Sequence, residues 1–214
     1  MNILFPVTAL AIACAASPLT LANNLEEIII TSSRVPMPLR QVGTSVSVVT
    51  ASEIERRGFA SLYDILRSQP AIGVSNSGGA GKVTALRIRG EEGFRTQVLI
   101  DGINISDTSG TQIGPKLEHL MSAGINRVEI LRGPQGLMYG ADAGGIISIS
   151  TDAPREGFTG EVNAEVGRYG TQQLGANLGG GNDTVDVSLS LSDFETDGFN
   201  TKTTDTSLRD DDGY

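Results

Sequence analysis

The chain has 214 residues, with 16 lysines and arginines against 25 aspartates and glutamates, so its formal net charge at pH 7 is −9. This length allows one or two domains with a buried core. The acidic balance argues against a nucleic-acid-binding protein, which needs a basic face to offset phosphate charge. The 27 glycines, with no tryptophan, favour strands and tight turns over a helical bundle.

Residues 1–22 have the pattern of a signal peptide. An apolar stretch occupies 3–16, and Thr20 and Ala22 place small residues before a cleavage position that follows Ala22. The apolar stretch is shorter than the ~20 residues that a membrane-spanning helix needs. Cys14 is the one cysteine of the chain and lies inside this segment, so we expect an exported mature chain without a disulfide.

The next part of the chain, 40–152, is predicted to form an α+β domain. A strand at 46–49 is followed by the sequence TASE, which has the spacing of a capping box. In that motif Thr50 caps the amide of Glu53, and the Glu53 side chain reaches back. The helix that begins there should end at Gly58, because glycine adopts the left-handed conformation that closes helices.

The rest of this domain alternates between short helices, strands and loops. A second helix should begin near Ser61 and end before Pro70, and a third is predicted at 116–123. Residues 75–82 are glycine-rich and are predicted to be a loop. Four further strands are expected in the sequences VTALRIRG, TQVLIDGINI, NRVEILRG and GGIISIST.

From Thr159 onward the sequence alternates strictly between apolar and polar residues. This pattern predicts three antiparallel strands with one apolar and one polar face. A soluble β-sandwich is one interpretation, but the small polar face and the ~10-residue strand spacing favour a membrane barrel. Because the smallest barrels have ~8 strands, we expect the chain to be the N-terminal part of a longer protein.

Signatures of enzymes are incomplete. The sequence NSGGAGKV lacks the first glycine and the final serine or threonine of a phosphate-binding loop. His119 is the single histidine, which excludes histidine-rich zinc sites and Ser-His-Asp triads within this stretch. We expect His119 to be structural, and Asp101, which precedes a glycine, to be a turn residue.

Two long segments resemble the strongest signatures of the plug domain in TonB-dependent outer-membrane receptors. They read LRIRGEEGFRTQVLIDGINISD over 86–107 and RVEILRGPQGLMYGADAGGIISIST over 127–151, and YDILRSQPAIGVS over 63–75 resembles a third plug segment. The resemblance covers 26–152, while 159–195 resembles the first barrel strands of the family. It implies an α+β plug with a small mixed sheet and short helices, followed by the first antiparallel strands of a 22-stranded transmembrane β-barrel.

The same resemblance implies a receptor without enzymatic activity in the outer membrane of a Gram-negative bacterium, in contact with its lipid. It divides the chain into a signal peptide at 1–22, a TonB box with its linker at 23–39, the plug at 40–152 and the start of the barrel at 159–214. Arg87, Arg89 and Arg132 then pair either with Glu161 and Glu165 of the barrel wall or with groups inside the plug.

The stretch EEIIITSS at 26–33 resembles the TonB box. An unpaired, strand-prone segment can add to a sheet edge of another protein, and the resemblance implies that this partner is the periplasmic protein TonB. An ordinary first strand of the plug is the alternative. The residues assigned to the box are Glu27, Ile28, Ile29, Ile30 and Thr31.

The resemblance places ligand contacts in the plug loops at 75–82 and 104–111. Cobalamin is the expected ligand, because SNSGGAGKVTALRIRG and DFETDGFNT resemble the vitamin B12 branch of the family; a ferric siderophore or haem is the alternative. A secreted adhesive or structural β-protein is the alternative from another class. The candidate contacts, which could also be solvated loop residues, are Asn76, Ser77, Lys82, Ser106 and Asp107.

The acidic run near the end of the chain suggests a metal site. Asp210 and Asp212 lie two residues apart before Gly213 and offer hard oxygen ligands. They also resemble a calcium-binding stretch of the cobalamin receptors, although Asn200 replaces another aspartate of that loop. We therefore expect weak calcium binding in an extracellular loop, with a solvated acidic run as the alternative and no covalent cofactor.

Overall fold

The fold is known from a computed structural model. It describes residues 29–30, 37–41, 43–58, 60–134, 144–151, 157–182, 184–199 and 204. Two short helices belong to the first part of the chain, α1 (Ala51–Arg57) and α2 (Leu62–Arg67). Within these ranges no helix is long and apolar enough to cross a membrane.

Twelve strands are described, and they form four sheets. The strands are β1 (Ile29–Ile30), β2 (Met37–Pro38), β3 (Ser45–Thr50), β4 (Ile72–Asn76), β5 (Thr84–Ile88), β6 (Thr96–Ile100), β7 (Ile103–Asn104), β8 (Arg127–Arg132), β9 (Gly145–Ser150), β10 (Gly157–Val166), β11 (Gln172–Gly181) and β12 (Asp186–Glu195). The sheets are β1-β2, β4-β5, β3-β8-β9-β6-β7 and β10-β11-β12.

The five-stranded sheet is mixed, as expected. Its strands pair antiparallel except for β6 and β9, which run parallel. β8 and β9 are buried on both faces, because one core packs around Val128 and Ile147 and a second around Leu131 and Ile146. Such runs of buried β-branched and aliphatic residues are typical of central strands.

Helix α1 ends where the sequence predicts, but its first turn lacks the predicted side-chain cap. Gly58 has a φ of 63° and its N–H donates to the carbonyls of Glu55 and Ile54. The expected capping box is wrong, because the Thr50 side chain makes no cap hydrogen bond and lies 3.0 Å from Ser52 Oγ. Glu53 instead forms a 2.6 Å ion pair with Arg57, one helical turn further on.

The helix expected at 116–123 is absent, and turns occupy this segment. Leu117 is fully buried. Leu117 and Leu120 are three residues apart, which is also the spacing of apolar residues on one face of a helix. The backbone of this segment bonds to another element instead of to itself, because the N–H of Leu62 in α2 donates to the carbonyl of Leu120 at 2.8 Å. His119, expected on that helix, is exposed in a turn.

The last three strands form an antiparallel sheet, which we call the wall sheet (β10–β12). Their pairing places apolar residues next to each other on one face, since Val162 faces Ala176 and Leu178 faces Leu189. These apolar side chains are exposed; Val162 is 74% exposed and Leu189 51%. The alternation in the sequence therefore predicted both the strands and the apolar face.

Candidate functional site

Three loops of the α+β domain are joined. The first loop (77–83) connects β4 to β5, the second (89–95) connects β5 to β6, and the third (105–118) follows β7. The Gly81 N–H donates to the carbonyl of Glu118 at 3.0 Å, and a Cβ placed on Gly114 would lie 3.7 Å from Phe94 Cα. The third loop therefore contacts the first and the second.

The side chain of Asn76 holds the first loop in shape. Asn76 is the last residue of β4, so the predicted loop starts two residues later than expected. Its Nδ2 donates to the Gly79 carbonyl and to Thr84 Oγ1, each at 2.8 Å, and to the Lys82 carbonyl at 3.3 Å. Its Oδ1 accepts from the N–H groups of Gly78 and Gly79. The amide is thus engaged within the loop, while direct contact with a ligand stays a prediction.

Two predicted contacts in the third loop are held by local turns. Asn104 Oδ1 accepts from the Ser106 N–H at 2.9 Å and from Ser106 Oγ at 2.7 Å. Asp107 Oδ1 accepts from Ser109 Oγ at 2.6 Å and from the Ser109 N–H at 2.8 Å. Side chains that bond the backbone two residues on are characteristic of asparagine and aspartate in turns.

The charge of Asp107 is stabilised by its neighbours. The hydrogen bonds from Ser109, first the hydroxyl and then the backbone amide, lower the pKa of Asp107 below its ordinary value of 3.8. Lys116 Nζ, 3.8 Å from Asp107 Oδ2, acts in the same direction. Asp107 is therefore ionised at neutral pH and presents a fixed negative charge on the third loop.

The remaining two predicted contacts lie on the first loop. Ser77 is exposed, and its backbone N–H donates to the Val83 carbonyl at 3.1 Å. Lys82 is half-buried, and its N–H donates to the Gly79 carbonyl at 3.4 Å. The structure thus brings the two predicted loops together, with Ser77 as the most accessible of the predicted side chains on the first loop.

Apolar side chains on the same loops escaped the sequence analysis. Each loop carries one large exposed apolar residue: Val83 is 71% exposed, Phe94 36% and Ile113 51%. Single apolar residues inside polar loops give no periodic signal, which is why the sequence alone did not single them out. Each of them exposes apolar surface among the polar groups of its own loop.

An aromatic pair from the segments that adjoin the wall sheet, the β10–β11 turn and the residues after β12, borders the first loop. The rings of Tyr169 and Phe199 lie 5.6 Å apart with planes tilted by 42°. Phe199 Cε1 lies 3.6 Å from the position that a Cβ on Gly79 would occupy. The Asp197 N–H donates to the Tyr169 carbonyl at 2.8 Å, which fixes the segment that carries Phe199. Neither aromatic residue was singled out from the sequence, because the two residues lie far apart along the chain.

The arginines find partners within the α+β domain. Arg87 Nη1 lies 3.0 Å from Glu92 Oε1, and Arg132 donates from Nε to the Pro70 carbonyl at 2.9 Å. Burial, and then the charge of Arg89, lower the pKa of Arg132. Neither Glu161 nor Glu165 forms an ion pair in the described part of the chain. Arg87 and Arg132 therefore pair with groups inside the α+β domain, which was one of the two expected alternatives.

The N-terminal strand-prone segment has a partner. Ile29 pairs with Pro38 and Ile30 with Met37 in an antiparallel hairpin, so the expectation of an unpaired strand is wrong for these two residues. Glu27, Ile28 and Thr31 lie outside the described residues. Among the described residues β1 pairs with β2 alone, and a strand paired on one edge can take a further strand on the other.

The predicted calcium ligands Asp210 and Asp212 also lie outside the described residues. Within the described ranges, no group of three or more histidine, cysteine, aspartate or glutamate side chains could hold a metal ion.

These features define a class of protein: a small mixed-sheet domain whose loops contact one another, followed by amphipathic strands with one exposed apolar face. A family model described as TonB-dependent Receptor Plug Domain matches residues 38–147. The chain therefore belongs to the TonB-dependent receptor plug domain family, a family of receptors and transporters rather than enzymes.

Relatives and solved structures agree with this assignment. The chain is 31% identical over 198 residues to the vitamin B12 transporter BtuB of Vibrio vulnificus strain YJ016, covering 89% of the chain and 32% of the relative. It is 33% identical over 176 residues to the protein of that name from Photobacterium profundum, covering 81% and 28%. The chain thus spans about a third of the length of these curated relatives.

Two solved structures share the fold. The ferripyoverdine receptor of the Pseudomonas aeruginosa outer membrane superposes with a TM-score of 0.63 at 22% identity, covering 79% of this chain and 22% of that one. The alcaligin outer-membrane receptor FauA of Bordetella pertussis gives 0.64 at 22% identity, covering 79% and 29%.

Proposed function

We propose that the full-length protein is an outer-membrane receptor that takes up cobalamin with energy supplied through TonB. The sequence relatives are named as vitamin B12 transporters, and the motif resemblance points to the same branch. The protein is exported through the segment 1–22 and resides in the outer membrane, where the apolar face of the wall sheet contacts lipid.

The joined loops carry the proposal. They combine exposed Val83, Phe94 and Ile113 with a fixed carboxylate at Asp107 and an accessible hydroxyl at Ser77. Sites for small molecules are mostly apolar, with a few placed polar groups that set orientation. A large ligand with an extended apolar surface and peripheral amides, such as cobalamin, suits this combination.

The aromatic pair extends the site onto the wall. Phe199 adjoins Gly79 of the first loop, so a ligand on the loops can also contact Tyr169 or Phe199. Aromatic side chains bury a large area when a ligand packs against them, so such a contact would contribute to ligand binding. The ligand would then rest on both the plug and the barrel, which suits a receptor that must sense occupancy.

TonB is the proposed partner of the N-terminal segment. The sequence of residues 28–30, three isoleucines, has the strand propensity that strand addition requires. The edge of β1 that does not pair with Met37 and Pro38 is available for it. Pulling on this segment would transmit force to the plug.

Calcium is proposed at Asp210 and Asp212. The ion would order the extracellular loop that holds them and so tighten ligand binding. The test compares ligand affinity with calcium and with a chelator, and in the variant with both aspartates replaced by alanine. If all these affinities are equal, Asp210 and Asp212 belong to a solvated acidic loop that binds no calcium.

An iron chelate or haem is the second candidate ligand. The two solved structures are described as siderophore receptors, but a likeness at 22% identity concerns the fold alone. The exposed apolar surface suits either ligand, and the similarity to vitamin B12 transporters supports cobalamin.

Titration calorimetry on the purified full-length receptor tests the ligand. We expect saturable binding of cyanocobalamin and none of ferric siderophores or haem. Binding of an iron chelate without binding of cyanocobalamin would replace the ligand but keep the receptor function. Binding of neither would contradict the proposal.

A further inference from the structure

The turn between β10 and β11 carries an aromatic side chain at a position that disfavours one. Tyr169 and Gly170 have φ angles of 59° and 64°, and two consecutive positive values are the pattern of a type I′ hairpin turn. Asparagine, aspartate and glycine are favoured at these positions, whereas a tyrosine there is strained. A strained residue persists only where its surroundings hold it, so the contacts of Tyr169 must offset this cost.

Tyr169 holds the segment that follows β12. Its carbonyl accepts from the Asp197 N–H at 2.8 Å and from the Thr196 hydroxyl at 3.2 Å. Its ring lies 5.6 Å from the ring of Phe199, within the range of favourable aromatic pairs. We call Tyr169 and residues 196–199 the clasp. The clasp fixes Phe199 through its ring and through the backbone that precedes it.

Phe199 covers one side of Gly79 in the first loop of the plug. Phe199 Cε1 lies 3.6 Å from the position that a Cβ on Gly79 would occupy. Asn76 holds the same residue within the loop, because its amide accepts from the Gly79 N–H and donates to the Gly79 carbonyl. The φ of Gly79 is 123°, which glycine adopts far more readily than other residues. Gly79 therefore has one restraint from its own loop and one from the clasp.

These restraints bear on the shape of the first loop. The Gly79 carbonyl also accepts from the Lys82 N–H at 3.4 Å, and the Gly81 N–H donates to the Glu118 carbonyl of the third loop at 3.0 Å. Glycine loses more conformational freedom on ordering than any other residue, and positions 78, 79 and 81 are all glycines. A loop that is ordered before the ligand arrives binds more tightly, since less entropy is lost on binding.

We propose that Phe199 is a positioning residue for ligand binding, which holds the first loop in its binding shape through Gly79. The inference rests on the proposed uptake function and deepens its site, because it gives the clasp a part in the affinity of a plug loop. Phe199 acts in this way in the ligand-free receptor, before the ligand makes any contact.

Hydrogen exchange of the ligand-free, full-length receptor in detergent tests this role. Phe199→Ala removes the ring from Gly79, and Tyr169→Asn removes the ring partner of Phe199 while keeping a residue that suits the turn. We expect the amides of Gly79 and Gly81 to exchange faster in both variants than in the wild type. The Ser109 amide, which bonds to Asp107 within the third loop, should exchange at the wild-type rate.

Binding kinetics of cyanocobalamin separate positioning from direct contact. In Phe199→Ala and Tyr169→Asn we expect association about 2- to 12-fold slower, the factor that corresponds to one aromatic contact. Dissociation should keep the wild-type rate, because only the fraction of receptors with a competent loop has fallen. Stopped-flow measurements on the same purified receptors give both rates.

Two further variants serve as controls. Phe158→Ala makes the same change on the apolar face of the wall sheet, where Phe158 is 78% exposed, and it should match the wild type in exchange and in both rates. Phe199→Leu keeps an apolar side chain against Gly79 and should restore most of the protection and of the association rate that Phe199→Ala loses.

Unchanged exchange at Gly79 and Gly81 in Phe199→Ala and Tyr169→Asn would overturn the proposal. Faster dissociation with unchanged exchange would also overturn it, since a residue that touches the ligand acts mainly on the dissociation rate. If Phe199→Ala does not fold, Tyr169→Asn is compared with Phe158→Ala and decides by the same criteria. Absence of cyanocobalamin binding by the wild type would count against the proposed function, while the exchange of Gly79 and Gly81 still tests the clasp.

Discussion

Asp101 and Thr151 tie the β6–β7 turn to the end of the plug. Asp101 Oδ1 accepts from the Thr151 N–H at 2.8 Å and Oδ2 accepts from the Thr151 hydroxyl. The Asp101 N–H donates to the Ile149 carbonyl at 2.9 Å, and its φ of 47° is a conformation that aspartate tolerates better than most residues. This aspartate therefore anchors the residue from which the chain leaves the plug.

We expect Asp101→Ala to destabilise this end of the five-stranded sheet by about 1–3 kcal/mol, because two hydrogen bonds are lost and alanine is strained at positive φ. Amide hydrogen exchange of β6 and β9 in the detergent-solubilised receptor measures the loss. Asp101→Asn is the control, since it keeps an acceptor and tolerates the conformation, and its loss should be smaller. Unchanged exchange in Asp101→Ala would show that the two hydrogen bonds contribute nothing.

Replacement of Asn76 separates loop order from direct contact. Asn76→Ala removes the bonds that hold the first loop, so we expect ligand binding to weaken by about 1–3 kcal/mol. Ser77→Ala tests direct contact on the same loop, because Ser77 is exposed. Calorimetric dissociation constants report both variants. If Asn76→Ala binds ligand like the wild type, the order of the first loop has no part in recognition.

Gly145 should tolerate no side chain. Its φ is 139°, and a Cβ there would overlap the Leu131 carbonyl oxygen of β8, so we expect Gly145→Ala to cost about 2–4 kcal/mol. Gly43 has no atom within 4 Å of its Cβ position, and Gly43→Ala should be neutral within about 0.5 kcal/mol. Resistance of the plug to trypsin compares the two receptors. Equal resistance would refute the close approach of β8 and β9.

The third loop should be insensitive to pH over the physiological range. The pKa of Asp107 is lowered in the fold from its ordinary value of 3.8, so the stability that its charge supplies is present above that ordinary value and is lost as the pH falls through the folded value. We expect the Ser109 amide to keep its exchange protection, corrected for the intrinsic rate, from about pH 5 to 8 and to lose it only below about pH 4. Loss of protection near about pH 6 would contradict this assignment.

Regular patterns in the sequence predicted the regular parts of the fold. Alternation in the wall sheet was sufficient, because one face is apolar along its length, and Gly58 marked the end of α1 because glycine accepts its φ of 63°. The segment 116–123 misled the prediction, because the spacing of Leu117 and Leu120 is helical while their backbone bonds are tertiary. Local spacing cannot reveal a hydrogen bond to Leu62.

The loops of the candidate site were predicted, while their contact with a ligand stays a prediction. The glycine-rich composition indicated the loop at 75–82, and the resemblance to plug domains placed the candidate ligand contacts at 75–82 and 104–111. The loop-holding bonds of Asn76 depend on the approach of Thr84 from the next strand. The contact between Phe199 and Gly79 joins residues far apart in the sequence, so no local sequence pattern predicts it.

Accumulation of radiolabelled cyanocobalamin by cells whose sole receptor is the full-length protein is the most direct measurement of TonB-dependent uptake. The wild type and Ile29→Pro are compared with TonB present and absent, because proline removes the amide that strand addition needs. We expect accumulation only for the wild type with TonB present, and equal binding at the cell surface in all four cases. Accumulation by Ile29→Pro at the wild-type rate, or by the wild type without TonB, would contradict a receptor that is energised through this segment.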